Sequence, residues 1–106
     1  MVDLGLEQRD LDSVCAVLES VPAVEQAIVF GSRAKGSFKT GSDVDLALKG
    51  ENLSFEQVSH ISYLLNEETS MPYRFDVLAY KTIASPELLA HIDRVGVMVF
   101  RRHKEE

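Results

Sequence analysis

Residues 24–30 form a short apolar run that stops at Gly31-Ser32, and ten residues later Asp43-Val44-Asp45 opens a second apolar run reaching Lys49. This pairing constrains the chain more than any other feature. A short run rich in β-branched residues, closed by glycine, reads as a buried strand. Side chains alternate across a strand, so Asp43 and Asp45 fall on one face of residues 43–49. Val44, Leu46 and Leu48 fall on the other, which suits a core. Residues 73–80 repeat the pattern, with Asp76 set between Phe75 and Val77.

The remaining segments read as helices. Leu11, Val14, Cys15, Leu18 and Val21 make one apolar stripe, which predicts a helix over 7–20 that must end before Pro22. Ser54 with Gln57 three residues on predicts a capped helix over 54–68, with Phe55, Val58, Ile61 and Leu65 inward. Ser85-Pro86-Glu87 opens a last helix that Gly96 closes, with Leu88, Leu89 and Ile92 inward. Residues 97–100 read as a fourth strand, and 101–106 as a charged, frayed tail. Residues 31–42 read as a turn region with one helical turn near 32–35.

If Gly31-Ser32 and the acid pair meet one ligand, the first two strands run antiparallel. If Asp76 joins them, the second and third run parallel, which needs a long crossover. The Ser54-capped helix supplies it. The expected fold is therefore α/β (α+β in some schemes): a small mixed sheet of three to four strands with helices packed on it. The length of 106 residues, 45% of them hydrophobic, predicts one domain over 1–106. Cys15 is the only cysteine, so neither a disulfide framework nor a cysteine zinc site is expected. No signal peptide or membrane-length apolar run is visible, and a cytoplasmic setting is expected.

Three crowded carboxylates repel one another unless a cation joins them. Magnesium prefers oxygen ligands and keeps positions open for phosphate, and two such ions suit an in-line displacement at phosphorus. Gly31 permits a tight turn, and Ser32 adds a hydroxyl next to backbone donors. Arg33 and Lys35 are candidate charge partners. A phosphate loop of the P-loop type is excluded, because Ser37 and Ser42 stand where that motif requires lysine. The net charge of −6 disfavours direct nucleic-acid binding but not a metal-bound nucleoside triphosphate. His60, His91 and His103 show no ligand spacing and read as surface residues. Tyr63, Tyr73 and Tyr80 read as packing groups.

Gly31-Ser32, Asp43-Val44-Asp45 and Asp76 match, in order and spacing, the signature of the DNA polymerase β-type nucleotidyltransferase superfamily, which the chain resembles. Gly31-Ser32-Arg33-Ala34-Lys35-Gly36 followed by Ser42-Asp43 is similar to its minimal nucleotidyltransferases, the MNT group. The resemblance implies a nucleotidyltransferase-like core and transfer of a nucleoside monophosphate to an acceptor hydroxyl. It implies that Asp43 and Asp45 hold two magnesium ions and that Asp76 binds the catalytic one. Gly31, Ser32, Arg33 and Ser42 would hold the nucleotide. It further implies a HEPN-type partner protein carrying the acceptor hydroxyl, with this chain as antitoxin adding AMP from ATP. Two alternatives stay open: a non-catalytic antitoxin that masks its partner, and the catalytic subunit of a small-molecule nucleotidyltransferase. Homo- or hetero-oligomers are compatible with both.

Overall fold

The computed structural model describes residues 4–39 and 41–102. The elements follow in the order α1 (Gln8–Glu19), β1 (Gln26–Phe30), α2 (Gly31–Lys35), β2 (Val44–Lys49), α3 (Phe55–Glu67), β3 (Phe75–Ala79), α4 (Pro86–Val95) and β4 (Val97–Arg101). A three-residue 3-10 turn, Tyr80–Thr82, joins β3 to the α4 lead-in. The strands form one mixed sheet in the order β3-β2-β1-β4. β1 pairs antiparallel with β2 and with β4, and β2 pairs parallel with β3. Both directions inferred from the acids hold, and α3 is the crossover.

Local chemistry sets the helix starts. Ser54 Oγ accepts from Gln57 N at 3.1 Å while Ser54 N donates to Gln57 Oε1 at 2.9 Å, a reciprocal cap. Ser85 Oγ accepts from Leu88 N at 3.2 Å, with Pro86 at the first helical position. Gly96 ends α4 in extended conformation. Its glycine is required because a Cβ there would strike Ile92 O and the Ile28 side chain.

The sheet is covered on both faces. The larger core joins α1 and α3 to the sheet through Val14, Leu18, Val29, Leu46, Leu48, Ile61 and Leu65. Burial of each large apolar side chain contributes about 1.5–3 kcal/mol. A smaller core of Phe30, Ala47 and Ile92 packs α4 on the opposite face. β2 is thus buried on both sides over Leu46, Ala47 and Leu48, and Asp45 just before them is half-buried. No helix among the described residues is long and apolar enough to cross a membrane.

Two expectations change. Phe55 is 83% exposed rather than inward. At about 100° per residue it lies roughly 120° from Ile61, at the edge of the stripe that Val58, Ile61 and Leu65 share. The C-terminal segment does not begin to fray at Arg101, which is in β4. Arg102 donates to Val24 O at 2.9 Å and to the carbonyls of Leu18, Glu19 and Val21, which caps the C-terminal end of α1. His103 and the rest of the expected tail lie outside the described residues.

Candidate active site

β1 runs into α2 without an intervening loop, because Gly31 turns the chain with φ +73°. A Cβ at Gly31 would overlap the Asp45 carboxylate, so glycine is required both by the backbone and by the neighbouring acid. Antiparallel pairing sets Phe30 opposite Asp45, and parallel pairing sets Asp45 opposite Asp76. Registered partners share a face, so both carboxylates project to one side. Asp43 lies two residues before Asp45, just ahead of β2. Asp43 and Asp76 are exposed, and Asp45 is half-buried.

The electrostatics follow from that placement. The Asp45 carboxyl is raised above its ordinary value, first by burial and then by repulsion from Asp76 and Asp43. Among the described residues no three His, Cys, Asp or Glu side chains are grouped closely enough to hold a metal ion by themselves. Asp45 and Asp76, on one face of the sheet, offer the oxygen ligands that a hard divalent cation takes together with substrate phosphates.

Three positions next to these groups are tied by side chains from elsewhere in the fold. Asn66 of α3 donates to Phe75 O at 2.9 Å and accepts from Phe75 N at 2.8 Å, immediately before Asp76. Arg33 donates through Nε and Nη2 to Ser42 O, at 3.2 and 2.7 Å, immediately before Asp43. His91 Nε2 accepts from Gly31 N at 3.2 Å.

Arg33 therefore replaces the sequence expectation. It is 2% exposed, and its Nη1 donates to Leu4 O at 2.9 Å and Gly5 O at 3.3 Å. Its guanidinium lies over the Phe38 ring at 5.1 Å and the Tyr73 ring at 5.0 Å. A group so committed clamps the chain, with its donors spent on backbone carbonyls. Ser42 is likewise engaged: its hydroxyl accepts from Lys39 N at 2.9 Å, closing the turn before Asp43. Ser32 is half-buried on α2, while Lys35 is exposed.

His91 is the residue that sequence reasoning placed wrongly. It is half-buried beside the site instead of lying on an outer surface, sixty residues from its partner Gly31. No spacing signals it, because only the return of α4 across the sheet brings it there. His60 is exposed, as expected.

Comparison with known proteins gives the family and similar folds. Residues 13–105 match the family described as Polymerase beta, Nucleotidyltransferase. The chain is 29% identical over 102 residues to the "Probable protein adenylyltransferase MntA" of Haemophilus influenzae, covering 95% of this chain and 88% of that protein. Its fold is similar to a crystal structure of a toxin–antitoxin with AMP-PNP, with TM-score 0.69 and 17% identity over 92% of this chain and 75% of that one. It is also similar to a structure of the tri-AMPylated Shewanella oneidensis HEPN toxin in complex with MNT antitoxin, with TM-score 0.68 and 16% identity over 92% and 74%. The chain belongs to the polymerase beta nucleotidyltransferase family.

Proposed function

We propose that this chain, read as one minimal nucleotidyltransferase domain over 1–106, transfers AMP from ATP to a hydroxyl of a HEPN-type partner protein in the cytoplasm, and is that partner's antitoxin. The observation that carries the reading is the pairing of Asp45 with Asp76 across β2 and β3, against the Gly31 turn and two residues after Asp43. The curated relative's name and the AMPylated HEPN toxin in the similar complex support the acceptor and the nucleotide.

In this reading Asp43 and Asp45 hold two magnesium ions and Asp76 holds the catalytic one. When bound, the ions neutralise charge on the phosphates and lower the cost of deprotonating the acceptor. The acceptor oxygen attacks the α-phosphorus, a new O–P bond forms, and the bond to the bridging oxygen of pyrophosphate breaks. Asp76, the exposed acid on the edge strand, takes the acceptor proton. Ser32 contacts the triphosphate. Gly31 contributes mainly by leaving room for Asp45, since its N–H is donated to His91.

The test mixes the chain, magnesium, ATP labelled at the α-phosphate and the product of the neighbouring gene. Label should pass to the partner with wild type and not with Asp45→Asn. Equal labelling, or none with either protein across all four nucleotides, defeats the proposal. An Asp45→Asn protein that still protects cells fully would instead favour simple masking of the partner.

A further inference from the structure

His91 joins the site through a backbone contact rather than through the acids alone. Gly31 is the first residue of α2, so its N–H has no carbonyl to accept it within that helix. His91 Nε2 takes it at 3.2 Å. An accepting Nε2 carries no hydrogen, so the ring proton of the neutral imidazole is on Nδ1.

The ring is held firmly. It meets the Phe30 ring edge-on, with centroids 6.3 Å apart and an interplanar angle of 80°. The next residue, Ile92, is 2% exposed and packs with Phe30 and Ala47. Both ends of the contact therefore rest on buried structure. On the Gly31 side, the Asp45 carboxylate fills the space a Cβ would take. The turn is thus gripped from two sides, by the acid across the sheet and by the imidazole from α4.

We propose that His91 is a positioning residue for nucleotidyl transfer: by accepting the Gly31 N–H it locks the glycine turn against Asp45. This rests on the function proposed above. With that bond lost, the turn can shift relative to Asp45, and Ser32 moves with it. A misplacement of about 1 Å costs on the order of a hundredfold in rate.

Two substitutions separate the hydrogen bond from the packing. His91→Phe keeps an aromatic ring against Phe30 and has no acceptor. His91→Gln loses the ring and keeps an acceptor oxygen at similar reach. The first readout is hydrogen exchange of the Gly31 amide by NMR. It should quicken at least about tenfold in His91→Phe and stay near wild type in His91→Gln. The second is the rise in Tm given by magnesium with AMP-PNP as probe. It should shrink in His91→Phe and recover in His91→Gln, with kcat falling by more than the KM for ATP rises. The reverse ranking, with Phe the better substitute, makes His91 a packing residue and overturns the assignment. So does unchanged Gly31 exchange in both variants. An absent Tm rise in the wild type defeats the nucleotide reading itself, whatever the exchange data show.

Discussion

Replacing Arg33 by lysine distinguishes a clamp from a phosphate ligand. Lysine keeps the charge but loses the planar fork, so it cannot give two bonds to Ser42 O and also reach the carbonyls of Leu4 and Gly5. At least two carbonyls then lose their donor, at roughly 1–3 kcal/mol each. The stacking on Phe38 and Tyr73 weakens by roughly 0.5–1 kcal/mol per ring. The expected loss is about 3–8 kcal/mol, a large share of the roughly 5–15 kcal/mol typical of a domain. At roughly 4–8 °C per kcal/mol, Tm should fall by at least about 12 °C. Urea unfolding of wild type, Arg33→Lys and Arg33→Met measures the loss directly. The clamp predicts that both variants are destabilised, with Met the worse because it offers no donor to any of these carbonyls. ATP binding, measured at a temperature where all three are folded, should weaken only as far as Asp43 is released. An Arg33→Lys protein within about 0.5 kcal/mol of wild type, yet with a much higher KM for ATP, would falsify the clamp and restore Arg33 as a phosphate ligand.

Three further substitutions test the rest of the site. Asp45→Asn should stabilise the metal-free protein at pH 7. The Asp45 carboxyl is raised in the fold, so the unfolded chain loses its proton first and stability falls as pH climbs from the ordinary value of 3.8 through the folded one. The advantage of asparagine should close on the acid side of 3.8, and urea midpoints that show Asp45→Asn weaker than wild type at pH 7 refute the repulsion. Gly31→Ala should cost about 1–2 kcal/mol from the positive φ, and far more in activity because its methyl displaces the Asp45 carboxylate. An active Gly31→Ala enzyme with wild-type magnesium dependence counts against that contact. Asn66→Leu strips both Phe75 backbone groups of their partner and should lose about 1–3 kcal/mol, with activity falling further than ATP binding because Asp76 follows Phe75. Parallel thermal melts and labelling assays measure both, and an unchanged rate refutes the link to Asp76.

The parts of this fold that sequence revealed are those with a period. Alternation placed Asp45 and Asp76 on one face, and the need to gather the acids gave the strand directions. The Ser54–Gln57 box marked the start of α3, because a cap is a local interaction between residues three apart. Arg33, His91 and Arg102 were illegible for the opposite reason. Each bonds backbone groups of distant segments: Arg33 reaches Leu4, His91 reaches Gly31, and Arg102 reaches Leu18. A carbonyl or amide partner has no side-chain identity, so nothing in the sequence marks it. Phe55 misled because it sits at the margin of its stripe, where a hydrophobic pattern cannot tell a rim from a core.

These illegible contacts share one logic. A site that must gather like charges cannot also use those charges to hold itself together. If Asp43, Asp45 and Asp76 were fixed by arginines or lysines, the cations would occupy the oxygens that a metal needs. Instead each is placed through the peptide next to it or across from it. Ser42, just before Asp43, is held by Arg33. Phe75, just before Asp76, is held by Asn66. Gly31, whose missing side chain makes room for Asp45, is held by His91. Every anchor is spent on backbone, so it adds rigidity without neutralising a carboxylate. The burial and the repulsion that raise Asp45 are then borne by the scaffold, and a bound divalent cation would offset the repulsion. On this account the one cationic side chain that the fold buries among the described residues, Arg33, serves the site best by facing carbonyls.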